Sequence, residues 1–257
     1  MTGASGFLGH AVCAELLANG HAVVALTRRP GSQPAGTTAA AGDLSDGGAL
    51  ARSLEQARPD CVIHLAAEIA TQRDPEKINE VNVNGTRRLL DACQSVGDIR
   101  FVFVSTVVTG DAGGAVLDET SVIPVETAYG RSKQAGEQLV HQSGVSGVII
   151  RPSHIYGPGG WYVEEIVKRL RQPGRFVVIG GGKNWWDVVR VEDVAKACVD
   201  AAARAPVGAV YHVADDEPIT YYDFVALTAS ALGVGPPRRI PAWLARRVAG
   251  DGPVRAV

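Results

Sequence analysis

Met1-Thr2-Gly3-Ala4-Ser5-Gly6-Phe7-Leu8-Gly9 opens the chain with glycines at every third position from Gly3. Gly3 suits a tight turn, Gly6 lets the backbone approach a phosphate, and Gly9 lets the following helix pack closely. Phe7 to Asn19 reads as an amphipathic helix stopped by Gly20, and His21-Ala22-Val23-Val24-Ala25-Leu26 as a buried parallel strand. A glycine turn opening such a helix offers free N–H groups to an anion. The stretch therefore predicts a dinucleotide site, with Gly3, Ser5, Gly6, Phe7, Leu8 and Gly9 around it.

In a fold of this kind a buried strand feeds the turn, and no strand pattern stands ahead of Met1. Its loss from the middle of a parallel sheet would leave N–H and C=O groups unpaired and open a slot in the core. That costs several kcal/mol against a total stability of ~5–15 kcal/mol. The expectation is a product truncated or mis-started at Met1. A cut is expected at the other end too, where Pro241-Ala242-Trp243-Leu244-Ala245 begins an amphipathic helix and the chain stops about one turn after Gly250.

Outward from the turn, apolar strand patterns at Ala22–Thr27, Cys61–Ala66, Arg100–Ser105 and Gly147–Pro152 alternate with helices near 46–57, 76–97 and 128–143. This alternation indicates an α/β, Rossmann-like doubly wound parallel sheet, its first strand missing. After Tyr156-Gly157-Pro158-Gly159-Gly160 the pattern loosens into a helix near 162–171, a strand near 175–179, a helix at 191–204, a strand at 209–213 and a helix at 220–232. The expected division is a dinucleotide-binding domain at 1–155 and a small interleaved substrate lobe at 156–257, with 187–204 packing back on the first domain.

The 257 residues are 46% hydrophobic with a formal charge of −2. They can bury a full core and carry no basic footprint for nucleic acid. No apolar run approaches the ~18 residues of a membrane span, and no basic-then-apolar leader is present, so a cytoplasmic protein is expected. Cys13, Cys61, Cys93 and Cys198 have no metal-ligand spacing and read as buried reduced thiols; no metal site is expected.

Tyr129-Gly130-Arg131-Ser132-Lys133 places a phenol and an ammonium one helical turn apart. A cation there favours the phenolate, which would lower the tyrosine pKa from ~10 and let it exchange a proton with an alcohol or ketone.

Taken together, the glycine turn, Asp43 in Gly42-Asp43-Leu44, His64-Leu65-Ala66-Ala67, Asn82-Val83-Asn84-Gly85-Thr86, Val104-Ser105-Thr106, Tyr129-x-x-x-Lys133 and Arg151-Pro152-Ser153-His154-Ile155-Tyr156-Gly157-Pro158 resemble, in order and spacing, the extended short-chain dehydrogenase/reductase family. That family is also called the NAD-dependent epimerase/dehydratase family, and the resemblance covers nearly the whole chain. It implies an NAD(P)-dependent oxidoreductase or epimerase. Tyr129 would be the acid/base, and Lys133 would hold the nicotinamide ribose. Thr106, or Ser105 since the following loop is short, would hydrogen-bond the reacting oxygen. Asp43 and Leu44 would lie at the adenine, Leu65, Ala66 and Ala67 along the cofactor, and Pro152 beside the nicotinamide. The implied partner is a small-molecule carbonyl, alcohol or sugar substrate. Oligomeric state stays open, a homodimer being the assembly the resemblance suggests.

Several positions depart from the pattern. Where an NAD enzyme places a carboxylate for the ribose 2′-OH, this chain has Thr27-Arg28-Arg29. Guanidinium groups match phosphate oxygens, so NADP(H) is favoured, with Arg28 and Arg29 on the 2′-phosphate and NAD(H) left open. Val107 and Val108 stand where dehydratases of the family carry an acidic pair. Trp186 stands where sugar-nucleotide epimerases carry a diphosphate-gripping arginine, with Arg190 as a substitute; the tryptophans are either core anchors or a pocket wall. Each of His64 and His154 reads as a hydrogen-bonded structural histidine. Two other readings remain: a non-catalytic cofactor sensor or scaffold, and an inactive fragment of an active parent.

Overall fold

Strands that are apolar on both faces and alternate with one-sided helices form a parallel sheet covered by helices, and this is what the computed structural model shows. It describes residues 1–110, 112–172 and 176–249, with only the backbone of Arg246, Val248 and Ala249. The elements run α1 (Phe7–Ala18), β1 (Val24–Thr27), β2 (Thr38–Ala41), α2 (Gly47–Ala57), β3 (Cys61–His64), α3 (Pro75–Asn79), a π-helical turn (Glu80–Asn84), α4 (Gly85–Val96), β4 (Arg100–Val104), α5 (Ala128–Gln142) and β5 (Ser146–Pro152). They continue with β6 (His154–Tyr156), α6 (Trp161–Leu170), β7 (Val177–Ile179), β8 (Trp185–Trp186), β9 (Val188–Arg190), α7 (Val191–Arg204), β10 (Val210–Val213), β11 (Ile219–Thr220), α8 (Tyr221–Ala231), β12 (Arg238–Ile240) and α9 (Ala242–Ala249).

The chain divides into two units, Met1–Ser153 with Val191–Val213, and His154–Arg190 with the chain from Ala214. The segment that returns to the first unit is thus 191–213 and brings a strand as well as a helix. In this unit β10, β5, β4 and β3 form a parallel sheet in that order. Val102 on β4 sits between Ile63 and Val148 in register. Leu50, Leu54, Leu89, Leu90, Phe101 and Ile149 fill one face, where α2 packs on α4. β1 and β2 make a separate parallel pair.

Met1 and Thr2 join these two sheets. The Met1 ammonium donates to the Val24 carbonyl at 2.8 Å and the Leu26 amide donates to Met1 at 2.8 Å, while the Thr2 amide donates to Ile63 at 3.0 Å. Behind this two-residue link lies a cavity of about 370 Å³, lined by Val23, Cys61, Val62, Leu54, Val199 and Ala202 among others. Loss of water around the Met1 ammonium lowers its pKa.

In the second unit β6 pairs with β9, β8 with β11 and β7 with β12. Ile166, Leu170, Phe224 and Val225 form its core. The helix expected at 76–97 is instead α3, a π turn and α4, because the buried Asn82 turns inward to bond the Glu68 backbone. Residue 175 of the expected strand near 175–179, and the chain from Gly250, lie outside the described residues.

Candidate functional site

The glycine turn takes the shape its sequence requires. Gly3 has φ +68°, and a Cβ there would lie 2.7 Å from the Ala66 amide nitrogen, so the turn packs directly against Leu65-Ala66. A Cβ at Gly9 would collide with the Gly3 carbonyl oxygen. Gly6 occupies the N-cap of α1 and offers no capping side chain, which leaves the first-turn amides to an incoming anion. Ser5 is exposed beside it, Phe7 and Leu8 half-buried. Glycines where a side chain would fill the space, next to an uncapped helix start, fit a dinucleotide pyrophosphate.

At the end of β1, Thr27 Oγ1 accepts the Arg29 amide at 3.2 Å, turning the chain so that Arg28 and Arg29 are exposed. Arg28 Nε lies 3.9 Å from Asp43 Oδ2, with side chains 79% and 44% exposed. The Ser45 amide, donating to Asp43 Oδ1 at 2.8 Å, is the main cause holding the Asp43 carboxyl below the usual carboxylate range. Leu44 is buried and Ala67 half-buried. Arg28 and Asp43 are thus brought together at one rim.

Under the turn a directed chain of hydrogen bonds crosses the sheet. Thr86 Oγ1 donates to the Asn82 carbonyl at 2.6 Å and so accepts from His64 Nε2 at 2.9 Å. This leaves His64 Nδ1 to accept from Thr2 Oγ1, 2.6 Å away. Burial pulls the His64 pKa down to about 3, with Lys133 adding to the effect. The imidazole is neutral and fully committed.

Thr127 caps α5 by accepting the Gly130 amide at 2.9 Å, which sets Tyr129 in the first turn and Lys133 in the second. Lys133 is buried, its Nζ 4.6 Å from the centre of the Phe103 ring. Burial lowers its pKa to about 8, and Glu137 opposes that fall. The expected lowering of the Tyr129 pKa is corrected: desolvation pushes the phenol up to about 12, and Lys133 has no opposing effect on it. Among the described residues the Tyr129 hydroxyl has no hydrogen-bond partner.

Thr106 and Ser105 differ in availability. Thr106 Oγ1 donates to Pro152 O at 3.3 Å and accepts the Val108 amide at 2.9 Å, so its one proton is spent. The buried Ser105 Oγ has no partner among the described residues. Ser105, Thr106, Lys133, Glu137 and Arg151 line one cavity of about 290 Å³. The sequence pattern does not single out Glu137 and its ion pair with Arg151, although Glu137 repeats the four-residue step that separates Tyr129 from Lys133.

In the second unit Trp186 stacks on His154 at 3.7 Å between ring centres and contacts Tyr162 and Tyr221. It is a core anchor of that unit, whereas Trp185 is exposed. His154 Nδ1 bonds the Asp187 carbonyl at 3.0 Å.

The family model described as NAD dependent epimerase/dehydratase family matches residues 1–214. A 3-diazoavenalumate denitrifying reductase from Streptomyces sp is 31% identical over 97% of this chain and 86% of its own length. A 2-alkyl-3-oxoalkanoate reductase from Stenotrophomonas maltophilia is 31% identical over 91% of this chain and 75% of its own. Among solved structures, the UDP-glucose 4-epimerase of Thermus thermophilus in complex with NAD matches with a TM-score of 0.80 at 28% identity, covering 93% of this chain and 85% of that one. The chain belongs to the NAD dependent epimerase/dehydratase family, whose relatives here are named reductases, dehydrogenases and epimerases.

Proposed function

We propose that this protein is an NADP(H)-dependent reductase of a small carbonyl substrate, with Tyr129 as its acid. A bound nicotinamide supplies hydride to the substrate carbon. The glycine turn and the start of α1 hold the pyrophosphate, Leu65, Ala66 and Ala67 lie along the dinucleotide, and Asp43 and Leu44 lie at the adenine. Arg28 and Arg29 take the 2′-phosphate, with Pro152 beside the nicotinamide ring.

The observation that carries the reading is the pairing of Tyr129 with the buried Lys133 one turn later on α5. A phenol pushed up to about 12 keeps its proton at neutral pH, which suits it to donate as a carbonyl oxygen becomes an alkoxide. Lys133 holds the nicotinamide ribose. Ser105, with its hydroxyl unspent, is the better candidate than Thr106 for the bond to the reacting oxygen.

Two features favour net reduction over epimerisation. Trp186 is packed among aromatic rings at the position expected for a diphosphate-gripping arginine, and two of the three relatives at 31% identity bear reductase names. The test is cofactor stoichiometry with a panel of ketones and UDP-sugars. One NADPH consumed per substrate converted supports the reading; conversion of a UDP-sugar without consumption replaces it with epimerisation. Cofactor binding with no conversion of any substrate supports the sensor reading.

A further inference from the structure

Tyr129, Lys133 and Glu137 succeed one another at four-residue steps and share one face of α5. The Glu137 carboxylate accepts two hydrogen bonds from Arg151 on β5, Nε to Oε1 at 2.9 Å and Nη2 to Oε2 at 2.7 Å. Glu137 is buried and Arg151 largely so, their side chains 9% and 14% exposed. Arg151 is anchored further, its Nη1 3.4 Å from the Glu119 carbonyl oxygen and 3.4 Å from His212 Nε2. The His212 amide in turn donates to Glu119 Oε1 at 2.9 Å.

A buried ion pair is a poor way to stabilise a fold, since apolar side chains of similar volume often do as well or better. Its place here is beside a third buried charge. Gly136 lets α5 press onto Phe103, where a Cβ would meet the ring at 2.5 Å, and Lys133 lies over that same ring. Among the described residues no carboxylate comes within ion-pair distance of Lys133.

We infer that Glu137, fixed by Arg151, is a positioning residue for Lys133: one turn away on the same face of α5 and on the same cavity, it supplies the counter-charge for the buried ammonium. The consequence for cofactor binding rests on the proposed role of Lys133, whereas the electrostatic part is a property of the free protein. The elements packed on α5 carry Glu76 and Lys77 on α3, Glu80 on the π turn, Arg87, Arg88 and Asp91 on α4, and Arg151 on β5. Against the lowering by burial, Glu137 raises the Lys133 pKa. His64 on β3 and the Tyr129 phenol are neutral neighbours at pH 7.

The test reads Lys133 directly in the ligand-free protein, by NMR titration of 15N-lysine-labelled material in which K133R identifies its signal among five lysines. In E137Q the Lys133 inflection falls by at least about one pH unit, and R151K leaves it in place. Should E137Q not fold, the double variant E137Q/R151M removes the pair without stranding a charge and shows the same fall. A second arm measures NADPH binding by fluorescence, where affinity at pH 8 weakens about fivefold or more in E137Q. An unchanged Lys133 inflection in folded E137Q overturns the inference and leaves a merely structural pair. Failure of NADPH to bind wild-type protein, with the inflection still shifted, overturns the proposed function and not this one.

Discussion

Thr2 Oγ1 and His64 Nδ1 lie 2.6 Å apart across 62 residues of sequence, and this bond ends a chain of donors that fixes the imidazole as neutral. Because the folded pKa, about 3, lies below the ordinary 6.5, the unfolded chain binds the proton first on acidification. The stability involved is complete above pH ~6.5 and is lost as pH falls toward 3. Urea denaturation at pH 7 and pH 5 checks this, with wild type losing about 2 kcal/mol more than His64→Gln over that interval. Parallel losses would contradict it.

Lys133 carries the same kind of cost on the basic side. Its folded pKa of about 8 lies below the ordinary 10.5, so the folded state gives up its proton first as pH rises. The penalty is full below pH ~8 and fades toward pH 10.5. Lys133→Met should therefore be more stable than wild type at pH 7, by up to ~3 kcal/mol, with the gap closing between pH 8 and 10.5. Denaturation curves at pH 7 and 10 test it; a gap that does not narrow argues against a buried ammonium.

The cavity behind Met1 and Thr2 should accept a strand. Adding four alternating Val and Ile residues ahead of Met1 places apolar side chains against Val23, Val62 and Val199 and gives the buried ammonium a peptide bond instead. At ~1.5–3 kcal/mol per buried side chain, the melting temperature should rise by roughly 5 °C or more. An extension of the same length built from Gly and Ser should give little of this rise.

Arg28 and Arg29 should decide between the two dinucleotides. Each guanidinium bond to a phosphate contributes about 1.5–3 kcal/mol, so Arg28→Ala/Arg29→Ala should weaken NADPH at least tenfold while leaving NADH within about threefold. Titration calorimetry measures both. Equal losses for the two cofactors would mean that neither arginine meets the 2′-phosphate.

Much of this is legible in the sequence, since the fold is written in long apolar runs. Phe101–Val104 and Val148–Ile150 are buried on both faces and could only be parallel strands, and Gly3 announces its positive φ. Thr38–Ala41, an alanine-rich strand without β-branched bulk beyond its first residue, carries no comparable signal. The short strands of the second unit, such as Trp185–Trp186, are hidden for a related reason, being two or three residues long and set by their partners. In the site, residue types and spacing point to Tyr129 and Lys133, but not to the state of the phenol, which depends on how much water the fold removes. Nor can they show that Thr106 spends its hydroxyl on backbone while Ser105 does not.

The central claim is that Tyr129 gives the proton that accompanies hydride transfer from NADPH. The direct measurement compares wild type and Tyr129→Phe for NADPH affinity and for carbonyl-dependent NADPH oxidation in the same preparations. If Tyr129 is the acid, affinity stays unchanged while turnover falls by about 10² to 10⁴. Equal turnover in the two proteins would contradict it.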